Sequence, residues 1–328
     1  MPRTWLTETF SLKFPIIMAP MFLVSNVEML VSAADSGIMG CVPALNYRSP
    51  EEFEKAMKEL KQKCQGAFGI NLIVNKSNVH LKRQIEICAE YKPDFIITSL
   101  GSPENVIKEL RPLGVKVFCD VTDLKYAQKV EKLGADALIA VNSGAGGHAG
   151  PVPASILVPR LIENTNLPVI SAGGVGTGAG LLSTIALGAE GASVGSPFIA
   201  CEESPVSAPY KNAVVDYGAQ DIAMTSKISG TPCTVIKTPY VQKIGLEQNP
   251  IEKFLNNNRA LKKYAKMLTY YKGMKVLEKA AFSANYKTIW CAGPSIEFVN
   301  KIEPAKAIVE RFIEEYEQSY DRLKLRHS

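Results

Sequence analysis

The chain has 328 residues, of which 46% are hydrophobic and 21% charged, enough for one large domain or two medium ones with a sizeable buried core. Its formal net charge of +5 comes from Lys and Arg scattered along the chain and thickened over 253–279, a pattern of solvated helix faces that argues against nucleic acid as a partner. No run approaches the ~18 uninterrupted apolar residues of a membrane span. The first twenty residues contain no long apolar leader, and the seven cysteines show no CxxC or Cys/His metal spacing, so a soluble cytoplasmic protein with reduced thiols, no membrane partner and no metal centre is expected.

Short, continuous apolar runs recur at 15–19, 38–42, 67–71, 95–98, 116–120, 137–141, 169–172 and 192–194. Segments with helix spacing separate them, at 26–36, 50–64, 78–90, 103–111, 123–133, 154–165 and 177–187. Runs without polar alternation predict strands buried on both faces, as in a parallel sheet covered by helices. Eight such units predict an α/β fold, a TIM (β/α)8 barrel. Past residue 200 the rhythm stops. A helix is expected over 204–217, irregular chain over 225–247, two or three Lys-rich helices carrying Tyr264, Tyr270 and Tyr271 over 250–282, and a closing helix from Glu303 to about Tyr320. The expected organisation is a barrel with its closing tail, 1–217 together with 283–328, and a helical or irregular cap or lid over 218–282. Residues 225–247 are too apolar for a solvated linker, which suits a lid over a pocket.

The stretch 134–150, GADALIAVNSGAGGHAG, empties a strand into a loop with glycines at 144, 146, 147 and 150 and a single histidine, His148. Glycines let backbone approach a bulky ligand and leave N–H groups to bind it. After the strand at 169–172 comes Gly174-Val-Gly176-Thr-Gly-Ala179, which matches the dinucleotide fingerprint G-x-G-x-x-A. That fingerprint belongs on a first βαβ unit whose next strand ends in a carboxylate, whereas here the next strand ends GASVGS, so a doubly wound sheet is the weaker reading. In a barrel the loops after the seventh and eighth strands commonly build a phosphate site, here from Gly173, Gly174, Gly195 and Ser196.

With MAP at 18–20, GIN at 69–71, AGGHAG at 145–150, SAGGVGTG at 171–178, GAEGASVGSPF at 188–198 and WCAG at 290–293, the chain resembles the nitronate monooxygenases, formerly called 2-nitropropane dioxygenases. The resemblance implies FMN at the C-terminal ends of the barrel strands and oxidation of alkyl nitronates by dioxygen. It places Ala19, Pro20 and Met21 against the flavin ring, Asn71 on the ring or ribityl chain, Gly147 and His148 at the ring edge, and Gly173, Gly174, Gly195 and Ser196 on the phosphate, with Gly146 and Ser171 also at the cofactor. Family members often carry an acidic residue just before AGGH and a Lys or Gln at the end of the preceding strand; here Gly144 and Val141-Asn142 stand there, so that contact falls to Asn142 or Ser143. Pro294 stands where the late loop often has Gln.

His148 suits two tasks, a base toward the α-proton of a neutral nitroalkane and, when protonated, a partner for a nitronate's oxygens. His80 is expected on an exposed helix face and His327 in the tail. Cys41 and Cys119 read as core residues and Cys233 lies on the expected lid. Flavin enoyl-acyl-carrier-protein reductases share much of the pattern, so FMN-dependent NAD(P)H reduction of an enoyl thioester or quinone is the alternative. A phosphate-ligand-binding barrel without redox chemistry is a third. The expected partners are a nitronate or nitroalkane and dioxygen, and assembly into a homo-oligomer stays open.

Overall fold

The computed structural model describes residues 2–226, 232–247 and 289–327. Parallel strands β1 (Ile16–Met18), β2 (Met39–Pro43), β3 (Phe68–Ile73), β4 (Phe95–Ser99), β5 (Lys116–Val121) and β6 (Ala137–Val141) follow one another around a ring. A two-residue strand, β7 (Gly147–His148), leaves the ring, and β8 (Val169–Ala172) and β9 (Gly191–Val194) complete it. The register Met18↔Val194 seals β9 onto β1. The result is a closed TIM barrel, with a strand in each of the eight apolar runs.

Helices 27–35, 50–63, 81–91, 104–110, 124–132, 154–164 and 178–186 cover the outside. Several start where a side-chain oxygen takes an otherwise orphaned N–H: Asn26 accepts from Met29, Ser49 from Glu52, Asp123 from Tyr126 and Thr177 from Gly180. At the N-terminal end of the strands a short helix, Trp5–Phe10, closes the floor. Its Trp5 and Phe10 rings each lie 5.8 Å from a core ring, Phe118 and Phe95 respectively, and those two stack at 5.1 Å. Gly69 makes room for this cluster, since a Cβ there would sit 2.4 Å from the Phe95 ring. The floor is therefore filled with side chains, and a ligand site belongs at the opposite, C-terminal end.

The last helix runs Ala305–His327, beyond its expected end near Tyr320, and packs on helix 178–186. Contact is close because Gly178 has no side chain: a Cβ there would lie 2.2 Å from both the Phe312 carbonyl oxygen and the Tyr316 nitrogen. Residues 204–217 contain the expected helix, trimmed to Ala208–Asp216.

The expectation of irregular chain over 225–247 needs correction. Strand β10 (Ile222–Thr225) pairs antiparallel with β11 (Cys233–Ile236), and β11 pairs with β7, so a three-stranded sheet stands beside the barrel mouth. A helix, Pro239–Ile244, follows, capped by the Thr238 hydroxyl. Strands of two to four residues are too short to carry a period, and one partner of β11, the strand β7, lies far away in sequence, so only the fold reveals them. Residues 227–231, and the helices expected over 250–282 with Tyr264, Tyr270 and Tyr271, lie outside the described residues.

Candidate active site

A cavity of about 310 Å³ opens at the C-terminal ends of the strands. One wall is the MAP turn, Ala19, Pro20 and Met21. Ala19 N–H donates to the Val194 carbonyl at 2.8 Å, Met21 N–H to the Ser25 hydroxyl at 2.9 Å, and the Asn46 amide binds the Met21 and Ser25 carbonyls. Asn46 Oδ1 also accepts from Leu23 N–H, holding Leu23 at φ +61° against the cavity. Leu100, at φ +63°, lines the cavity too. Leucines seldom adopt that conformation, and their clustering at one mouth marks a shaped site.

Asn71, Ser99 and Asp120 end or nearly end three successive strands and form a chain of polar groups. Asn71 Nδ2 donates to the Ile97 carbonyl at 3.0 Å and to Ser99 Oγ at 2.7 Å, and the Ser99 hydroxyl donates to Asp120. Asn71 Oδ1 is left without a partner among the described residues and its residue lines the cavity. Burial raises the Asp120 pKa from 3.8 to about 6, with the Ser99 hydrogen bond pulling the other way. Ser99 and Asp120 were not singled out in the sequence. The position of Asp120 at the end of an apolar run was the available signal, because barrel side chains that meet ligands sit at strand C-termini.

The glycine loop forms the opposite wall. It is folded against two backbones: a Cβ on Gly146 would lie 2.8 Å from Gly293 N, and one on Gly173 would lie 2.4 Å from Ala145 N. Gly144, Gly146, Gly147 and His148 all line the cavity. The Thr234 hydroxyl of β11 donates to the Ala145 carbonyl at 2.8 Å, and β11 places Thr234 opposite Gly147 and Cys233 opposite His148. His148 is solvent-accessible at the mouth, yet the surrounding protein lowers its pKa by desolvation.

Gly173, Gly174, Gly195 and Ser196 also line the cavity. Gly173 and Gly174 have φ +116° and +78°, which turn the chain sharply after β8. Among the described residues no hydrogen bond takes up the N–H groups of Gly173, Gly195 or Ser196, whereas Gly174 N–H donates to the Gly144 carbonyl at 2.9 Å. Ser196 Oγ accepts from Gly293 N–H at 2.8 Å and keeps its own hydrogen to donate.

Asn142, Ser143 and Ser171 stand behind this wall and outside the cavity lining. Asn142 is buried; its amide donates to the Gly173 carbonyl at 3.0 Å and toward Ser171, and its oxygen accepts from Gly144 N–H at 2.8 Å. Ser143 is exposed, with its N–H on the Val152 carbonyl. Cys41 and Cys119 are buried in the barrel as expected, while Cys233 lines the cavity together with Cys291. His80 precedes helix 81–91, away from the site, and is half-buried instead of exposed. Pro294 opens a short 3-10 helix, Pro294–Phe298, that braces the late loop.

A family model described as nitronate monooxygenase matches residues 78–315. The chain belongs to the nitronate monooxygenase family. Its members are oxidoreductases. A probable nitronate monooxygenase of Staphylococcus aureus (strain MSSA476) is 28% identical over 290 residues, covering 75% of this chain and 81% of the relative. A (3aS,4S,5R,7aS)-5-hydroxy-7a-methyl-1-oxo-octahydro-1H-indene-4-carboxyl-CoA dehydrogenase of Rhodococcus jostii (strain RHA1) is 29% identical over 242 residues, 74% of this chain and 68% of the relative. Among solved structures, FabK from Thermotoga maritima superposes with a TM-score of 0.86 at 28% identity, covering 99% of both chains.

Proposed function

We propose that this nitronate monooxygenase family member binds FMN in the barrel mouth and oxidises alkyl nitronates with dioxygen to carbonyl compounds and nitrite. The observation that carries the reading is the meeting, in one cavity, of unpaired backbone donors, a polar oxygen and a histidine on a glycine loop. FMN asks for donors toward a dianionic phosphate, a polar group toward its ring system and a close-packed apolar face. Gly173, Gly195 and Ser196 supply the donors, with Gly174 shaping their turn. Ala19, Pro20 and Met21 supply the apolar face, and Asn71 Oδ1 the polar contact. Gly146 and Gly147 give the ring edge its clearance because Cβ atoms are missing there. Asn142, Ser143 and Ser171 act by holding these loops, with Asn142 tying Gly144 to Gly173. In this reading the barrel is 1–217 with 283–328, and the described part of 218–282, β10, β11 and helix Pro239–Ile244, caps its mouth.

FMN, when bound, supplies the electron acceptor for the substrate carbanion. His148 handles the proton. Its lowered pKa keeps the imidazole neutral at pH 7, so it can remove the α-proton of a nitroalkane at the cavity mouth. A preformed nitronate needs no such step. The Leu23 and Leu100 side chains and the MAP turn exclude water from the reacting carbon.

The purified protein should be yellow with a flavin spectrum. Mixed anaerobically with a preformed nitronate it should bleach, and admission of air should restore the colour with release of nitrite. Bleaching by NADH and not by nitronate would favour the second reading, reduction of an enoyl thioester or quinone, which the likeness to FabK along the whole chain and the carboxyl-CoA dehydrogenase relative support. A colourless protein that takes up no FMN would leave a phosphate-ligand-binding barrel.

A further inference from the structure

Five of the seven cysteines lie away from the cavity, and Cys41, Cys88, Cys119 and Cys201 among them are buried. Cys233 and Cys291 are different. Both are free thiols and both line the cavity. They come from separate segments, Cys233 opening β11 and Cys291 lying between Trp290 and Ala292 of the late loop.

The sheet brings them together. β10 occupies one edge of β11, with Ala223 opposite Val235. Along the other edge His148 stands opposite Cys233, and Cys291 stands opposite Val235. Residues two apart on a strand share a face, and residues opposite each other across an antiparallel pair point to the same side. His148, Cys233 and Cys291 thus share the face that looks into the cavity, and the two cysteines are diagonal cross-strand neighbours. The two thiols perturb each other, which draws the Cys233 pKa down and pushes the Cys291 pKa up. Cys233 is therefore the more acidic sulfur of the pair. Among the described residues no group of three or more Cys, His, Asp or Glu could hold a metal, so a shared ion does not explain the pair.

We propose that Cys233 and Cys291 form a redox-active dithiol in the cavity wall, which hydrogen peroxide converts to an intramolecular disulfide. The Cys233 thiolate attacks one peroxide oxygen, the O–O bond breaks, and hydroxide leaves with the proton lost by Cys233 as one water. The Cys291 sulfur then attacks the Cys233 sulfenic acid, the S–S bond forms and the S–O bond breaks. The departing hydroxyl takes the Cys291 proton as a second water. Two thiols and one peroxide give one disulfide and two waters. The bridge fastens β11, and with it the wall opposite His148, to the late loop. Diagonal neighbours have Cα atoms about 7–8 Å apart, beyond the roughly 4.4–6.8 Å of relaxed disulfides, so closing the bridge draws the two segments together, and strained bridges are the readily reduced ones. The pairing rests on the register of the strands and the coupling of the two thiols; only a supply of peroxide inside the cavity would rest on the function proposed above.

The test uses the full chain as purified, reduced and desalted, then exposed to a small excess of hydrogen peroxide and alkylated under denaturing conditions. Expected are the loss of two of the seven thiols, a Cys233–Cys291 cross-linked peptide by mass spectrometry, and recovery of both thiols with dithiothreitol. Cys291→Ser should stop at the sulfenic acid, trapped on Cys233 by dimedone, and Cys233→Ser should leave Cys291 reduced. Seven free thiols after peroxide, a bridge between other cysteines or between chains, or dimedone labelling of Cys291 in place of Cys233 would each overturn the proposal. None of these readouts depends on turnover, so a failure of the nitronate reading leaves them intact.

Discussion

Asp120 is the half-buried carboxylate whose cost can be worked out. Its usual pKa of 3.8 rises to about 6 in the fold because burial disfavours the charge. At about 1.36 kcal/mol per unit, that gap makes the ionised side chain ~3 kcal/mol less comfortable in the folded chain than in the unfolded one. The cavity leaves part of Asp120 accessible, and screening there trims the figure to about 1–3 kcal/mol. The sign follows from the protons. Between pH 3.8 and about 6 the folded protein holds a proton that the unfolded chain has released, so stability falls as pH rises through that window and stays lower above it. Asp120→Asn keeps an oxygen to accept from Ser99 and carries no charge. Freed of any bound cofactor, the variant should exceed the parent in stability at pH 8 by about 1–3 kcal/mol. The gain should shrink by about 1 kcal/mol at pH 5. Urea unfolding at both pH values, with matched slopes, measures this. A variant less stable at pH 8, or a gain independent of pH, would refute the reasoning.

His148→Asn should retain FMN and lose about 10²–10⁴-fold in turnover with neutral nitroalkanes while sparing preformed nitronates, since only the former need a base; equal losses would point to positioning instead. In the parent, kcat/KM for a neutral nitroalkane should fall on the acid side with a midpoint below 6.5, because burial lowers the His148 pKa. Gly174→Asp should expel the cofactor through charge and backbone strain, since a Cβ there meets nothing nearer than Gly144 Cα at 3.8 Å while φ is +78°; a yellow variant of unchanged FMN affinity would move the phosphate site elsewhere. Gly178→Ala should cost about 3 kcal/mol in thermal unfolding, as its Cβ runs into the C-terminal helix backbone. Thr234→Val should strip the Ala145 carbonyl of a partner, costing about 1–3 kcal/mol and loosening the His148 loop; unchanged nitroalkane turnover would show that β11 does not position His148.

The barrel was legible because its strands are buried on both faces and each reads as an unbroken apolar run, as in Ala137–Val141. The cavity was largely legible because close backbone approach demands glycine, and Gly146 and Gly173 could not have been otherwise. Hydrogen-bond partners were not. The Gly174 N–H, free in sequence, is taken by Gly144, and Asn142 spends itself on the loop it stands behind. Asp120 was hidden because a carboxylate after an apolar run reads as the start of a turn until Ser99 and Asn71 come alongside. Leu23 and Leu100 look like ordinary leucines, since nothing in a side chain declares a left-handed backbone held from elsewhere.

The aromatic plug beneath the barrel gives the cavity a traffic rule. With Trp5, Phe10, Phe95 and Phe118 filling the strand N-termini, nothing that enters at the C-terminal mouth can leave through the floor. Among the described residues, the way in at that mouth passes His148 and the MAP turn. A substrate bulky enough to span that approach becomes a stopper for whatever lies deeper, while a diatomic gas can slip around it. The size of the first molecule to arrive thereby governs whether the second must queue.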